Sequence, residues 1–226
     1  MTDRGAYPAA RAAALSGVPW STVHEWARKD LLVPSISRER VRLWSYGDLM
    51  GLRLVYWLRH PKPTANGQVG GVAMSQVRLA LAALREMDQD LWAPGANPVV
   101  AVDRSGKVVL DPSGTPEELS GQSLIANPEL LNLVLPFESE EGMRGPNLVE
   151  PRPTLRIVPG KLGGEPHVAR SRVETRALAA LARRGMGSSN IVRLFPALEE
   201  AAVLDAIDLE DQLSRNLSAD GASVAA

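Results

Sequence analysis

The chain has 226 residues, a formal net charge of −1, 45% hydrophobic residues and no cysteine. That is length and apolar content enough for one large domain, or two small ones, with a real core. The missing cysteines exclude disulfides, thiolate chemistry and Cys-based zinc or iron–sulfur sites.

The near-zero net charge conceals a division. Residues 1–64 carry a net +5, 65–150 a net −7, 151–193 a net +7 and 194–226 a net −6. Basic segments suit a polyanion through counterion release, whereas acidic ones suit solvated surface or a basic protein partner. Neither a basic-then-apolar leader nor a bilayer-length apolar run is present, so a cytoplasmic protein without membrane contact is expected. Most aromatics, from Tyr7 to Trp57, lie in the first 60 residues, which predicts a compact aromatic core there.

In chain order, an Ala-rich helix is expected from Tyr7 to Leu15, broken by Ser16-Gly17-Val18-Pro19. A second helix runs to Lys29. Val23, Trp26 and Ala27 form its inner face, and Ser21, His24, Glu25 and Arg28 its outer one. Thr22 and Glu25 have capping-box spacing. Across 37–43 the period becomes two. Arg38, Arg40 and Arg42 alternate with Glu39, Val41 and Leu43, which predicts a two-stranded wing with a basic outer face. Ser45 or Gly47-Asp48 then opens a helix to about Arg59, and Ser75 a fourth to Met87.

The middle reads as β. Residues 99–102 and 107–110 flank the turn signal Asp103-Arg104-Ser105-Gly106, hence a hairpin. A strand or short helix follows at Leu130–Leu135. Further on, Val173–Arg184 is helical, a short helix capped by Ser188 or Ser189 reaches Leu194, and an acidic helix spans Leu198–Leu213. Residues 214–226 are small and polar and are expected to be a flexible tail.

The series Gly17-Val18, Ser21-Thr22-Val23, Trp26, Leu31-Leu32, Pro34, Arg42-Leu43-Trp44-Ser45 and Asp48-Leu49 resembles a MerR-like winged helix-turn-helix over residues 7–60. Asp30 stands where that pattern has Gly, and Trp44 where it has Tyr. The resemblance implies that Ser21, His24, Glu25 and Arg28 face the major groove. It also implies that Arg38, Arg40 and Arg42 reach phosphate or minor groove.

A second series comprises Ile157-Val158-Pro159-Gly160, Gly163-Gly164-Glu165-Pro166-His167-Val168, Arg172-Val173-Glu174-Thr175 and Phe195-Pro196. It resembles a small C-terminal domain of VapB-like antitoxins over about 155–213. Val158 replaces an Asp, and Ala169-Arg170-Ser171 replaces the loop before Arg172. Together the two resemblances imply an antitoxin that represses its own operon by binding operator DNA and neutralises a PIN-like ribonuclease toxin. A homodimer that enters a hetero-oligomer is implied as well. Arg170, Arg172, Arg176 and Arg215 are then candidates for toxin or subunit contact. The alternative is a MerR-like, effector-responsive transcriptional regulator.

Weighed against these readings, a charge run is most often a solvated face. His24, His60 and His167 lack ligand spacing, and no nucleophile–base set is evident, so no metal, cofactor or catalytic residue is expected. The glycines at 160, 163 and 164 are not followed by the Lys-Ser/Thr of a phosphate loop. The expected fold is mainly α with a small β component. It divides into a winged helix-turn-helix (1–64), a helix and β-hairpin region (65–150), a three-helix domain (151–213) and a tail (214–226).

Overall fold

A computed structural model describes residues 4–64, 67–86, 98–102, 108–111 and 129–223. The protein is mainly α with a small β part, as composition and periodicity imply. Strand β1 (Tyr7–Pro8) leads into helix α1 (Ala9–Ser16). Gly17 ends α1 in the left-handed conformation, φ 75°, its N–H donating to Ala13 O. A side chain is excluded there twice over, because a Cβ on Gly17 would fall 2.4 Å from the backbone N of Gly145. Helix α2 (Trp20–Arg28) follows and buries Val23, Trp26 and Ala27, the inner face expected from period 3.6. Its N-cap is Pro19, with no side-chain cap. The Thr22–Glu25 capping box does not form, because the helix begins two residues before Thr22 and Glu25 pairs with Lys29 instead.

The wing departs from expectation. Strand β2 (Leu43–Trp44) pairs antiparallel with β1, Tyr7 opposite Trp44. Residues 38–42 form a loop closed at its base by the Ser37–Leu43 bridge, with Ile36 N–H also donating to Leu43 O. No alternating ribbon exists, and Val41 is 62% exposed rather than turned inward. Leu43 pairs with Pro8 of β1 on one edge and bridges Ser37 on the other, and the second edge goes no further than that bridge.

Helix α3 (Tyr46–Arg59) opens with a capping box in which Ser45 Oγ accepts from Asp48 N–H and Asp48 Oδ2 accepts from Ser45 N–H. Asp48 also holds Ser35, tying the base of the loop to the helix start. A small hairpin, β3 (Lys62–Thr64) with β4 (Gly67–Val69), precedes α4 (Met74–Glu86), which starts one residue before the expected cap Ser75. The expected hairpin is present as β5 (Val99–Val102) and β6 (Val108–Asp111), joined on the other edge by β7 (Glu129–Asn132). Its turn lies outside the described residues.

Two further ribbons, β8 (Phe137–Glu138) with β9 (Arg144–Gly145) and β10 (Leu155–Arg156) with β11 (His167–Val168), lead to the last helices. These are α5 (Thr175–Arg183), α6 (Ser188–Leu194) and α7 (Glu200–Ser223). Helix α7 runs ten residues past the expected end at Leu213. The reason is its buried stripe of Val203, Ala206, Leu209, Leu213 and Asn216, which continues at helical spacing into the supposed tail. Asn216 Nδ2 donates to Ala14 O and Arg144 O, so the extension is docked on α1 and β9.

One hydrophobic cluster runs from Tyr7 through Leu49, Leu133 and Leu155 to Leu209. The aromatic core of the first 60 residues is therefore continuous with that of the C-terminal helices. Arg53 sits within it, fully buried, donating to the carbonyls of Leu15, Ser16, Leu133, Leu135 and Pro146. Among the described residues, no helix is long and apolar enough to cross a membrane.

Candidate nucleic-acid interface

Helix α2 exposes Ser21, Glu25 and Arg28 on its outer face and half-buries His24 between them. The exposed Trp20 ring packs edge-on against His24, with centroids 4.3 Å apart. Burial and then the charge of Arg42 lower the His24 pKa, so the imidazole is neutral at pH 7. Arg42 is near enough to His24 for its charge to contribute to that shift. Arg38, Arg40 and Val41 are exposed on the loop, and Arg42 is half-buried.

The expected site residues thus fall into unequal classes. Ser21, Arg28, Arg38 and Arg40 are exposed, and the three arginines are free to meet a ligand. His24 can accept or donate one hydrogen bond as a neutral ring. Glu25 is held by Lys29 one turn away, and that pair lowers its pKa. Its carboxylate is therefore partly neutralised within the helix rather than held ready for a base edge.

The interface rests on buried polar supports that periodicity alone did not reveal. Arg11 binds Glu210 and Glu165, Thr175 Oγ1 donates to Glu210 at 2.5 Å, and Tyr7 OH donates to Gly164 O at 2.8 Å. Arg53 fastens the last carbonyls of α1, from which the turn into α2 departs. One signal for it was legible: Arg53 interrupts a run of large apolar residues on a helix that is buried almost all round.

Of the C-terminal arginines, Arg170, Arg172 and Arg215 are exposed, whereas Arg176 is paired with Glu174 and Glu165. His60 stacks on Tyr56 and meets Tyr56 O, and His167 is buried against Glu165 O. The three histidines serve separate places. Among the described residues no group of three or more His, Asp or Glu could hold a metal ion.

Residues 156–208 match the model of a family described as a protein of unknown function, DUF433. The match covers less than half of the chain and coincides with the β10-to-α7 region. No curated protein and no solved structure matches the chain.

Proposed function

We propose that this protein is the antitoxin of a toxin–antitoxin module. It binds operator DNA through α2 and the 38–42 loop, represses its own operon, and neutralises a PIN-like ribonuclease. One observation carries the DNA-binding half. The exposed face of a helix that follows a tight turn lies beside a loop of three arginines, with Arg42 close enough to depress the His24 pKa. Fixed donors in front and phosphate-seeking cations at the side are what a groove reader needs. The toxin-binding half draws on the resemblance of residues 155–213 to the antitoxin-associated domain. Any chemistry belongs to the partner, and a homodimer supplies paired half-sites.

A second reading, an effector-responsive MerR-like regulator, draws on a different observation. A cleft of about 500 Å³ between the loop, α3 and α4 is lined by Arg4, Arg38 and Arg85 over Leu32, Leu81 and Leu84.

The test is co-expression of the full chain with the product of the adjacent reading frame. A stable complex and rescued growth are expected, together with retention of the chain's own promoter fragment. An absent complex without rescue sinks the antitoxin reading. DNA retention that responds to small anions would favour the regulator.

A further inference from the structure

Trp20 stands in the first turn of α2 with 43% of its surface exposed. Among the described residues it is the one exposed aromatic side chain. Every other Trp, Tyr and Phe there is buried or half-buried. Most of the interface around it is polar or charged, so a large apolar ring on this face calls for a partner of its own kind.

The position of Trp20 is set from both sides. Before it come the fully buried Val18 and the N-cap Pro19. Val18 N–H donates to Ser16 Oγ at 3.3 Å, and Val23 N–H donates to Pro19 O at 3.0 Å. One turn on, the His24 ring meets the indole edge-on, with 63° between the planes. That contact restrains the indole before a ligand arrives, which lowers the ordering cost of binding. Trp20, His24 and Arg28 form a stripe at one-turn spacing, with Ser21 and Glu25 beside it.

The chemistry of a duplex narrows what such a ring can meet. The N-terminal residues of a recognition helix contact base edges in the major groove. Those edges are hydrogen-bond donors and acceptors, with one apolar group among them, the 5-methyl of thymine. An indole laid on a polar edge strips its water without replacing the hydrogen bonds. Against the methyl, both surfaces leave water together. The neighbours leave this contact to Trp20, because Ser21, His24 and Arg28 are polar and Glu25 is tied to Lys29.

We propose that Trp20 reads a thymine methyl in the operator, so that part of the sequence preference of α2 is apolar. The inference rests on the DNA-binding half of the proposed function and is independent of any toxin.

The test sets the full chain, Trp20→Ala and Trp20→Phe against two forms of the chain's own promoter fragment. One carries thymine and the other deoxyuridine throughout, which lacks only the methyl. Binding is measured at about pH 8, where His24 is neutral whether or not Trp20 covers it. Burying one methyl is worth roughly fourfold in affinity, so the wild type should bind the deoxyuridine fragment about threefold or more weakly. Trp20→Ala should bind both fragments alike, at the level of the wild type on deoxyuridine or below it. Trp20→Phe, which still covers the methyl, should keep most of the preference. The ratio between the fragments is internal to each variant, so a loss of stability does not mimic the effect. Equal wild-type affinity for both fragments overturns the inference and leaves the DNA reading standing. A Trp20→Ala ratio equal to that of the wild type also overturns it, because the methyls are then read elsewhere. Any loss common to both fragments in that case puts Trp20 on the sugar–phosphate backbone. A wild type that holds neither fragment overturns the DNA reading and the inference with it.

Discussion

Arg11 on α1 and Glu210 on α7, 199 positions apart in the chain, meet through two hydrogen bonds of 2.9 and 2.7 Å. The same guanidinium donates through Nε to Glu165 at 2.9 Å, so three distant segments close on one cation. The side chains of Arg11 and Glu210 are only 11% and 5% exposed, so solvent screens the pair weakly. Deleting one partner strands a buried charge, which costs far more than a surface pair is worth. Glu210→Gln should therefore destabilise the protein by about 3 kcal/mol. The measurement is a lower urea midpoint at unchanged slope. A loss below about 0.5 kcal/mol would mean that the pair behaves as a surface salt bridge.

The same pair sets an acid limit. Burial by itself raises the Glu210 pKa, but the hydrogen bond and charge of Arg11, with the Thr175 hydroxyl, outweigh it and hold the net value below normal. A carboxylate whose folded pKa lies below its unfolded one stabilises the fold above the unfolded pKa, about 4.3. That contribution is lost as pH falls through the folded value. Wild-type stability should therefore decline below about pH 4, whereas Glu210→Gln, already weaker, should show a shallower decline there. Parallel pH profiles for the two proteins would remove Glu210 from the acid transition.

Arg53 is a second fastening. Its guanidinium meets five backbone carbonyls and no carboxylate. Burial pulls its pKa down to about 9, and it stays charged at neutral pH. Lysine cannot reach that spread of acceptors from a single ammonium. Arg53→Lys should cost about 3 kcal/mol or more, because several buried carbonyls lose their donor. Because Leu15 and Ser16 precede the turn into α2, operator affinity should fall in the same variant even at temperatures where it is folded. Intact affinity in a folded Arg53→Lys protein would uncouple this fastening from the recognition helix.

Much of the fold was legible because it rests on local periodicity. The inner face of α2, the first of the two starts read for α3 and the β5–β6 pairing follow from local spacing and turn signals. What misled were places where a distant partner chose between local options. The alternation across 38–43 reads as a ribbon, yet Trp44 pairs with Tyr7, a residue 37 positions earlier. The polar stretch after Leu213 reads as a tail, yet Asn216 finds Ala14 O and Arg144 O and carries the helix on. At the candidate interface the residue types were legible but their engagement was not. The i,i+4 spacing of Glu25 and Lys29 was itself a signal for their pairing, but nothing local says that Arg42 sits by His24 while Arg40 stands clear.

That last difference separates two arginines which the sequence treats alike. Arg40→Ala and Arg42→Ala should each weaken operator binding and reduce its logarithmic salt slope by roughly one unit. Only Arg42→Ala should act on His24. Removing the Arg42 charge removes one of the two causes that lower the imidazole pKa, so the pKa should move upward towards its ordinary value. Burial, the larger cause, remains and keeps it from reaching that value. His24 would then gain charge as pH falls through a higher range, and operator binding by Arg42→Ala should recover partly at mildly acid pH. Arg40→Ala, whose cation is exposed on the loop, should show no such recovery. An NMR titration of the His24 ring in both variants, beside binding isotherms at two pH values, checks the point. Identical His24 titrations would mean that the loop does not lie against α2 in solution.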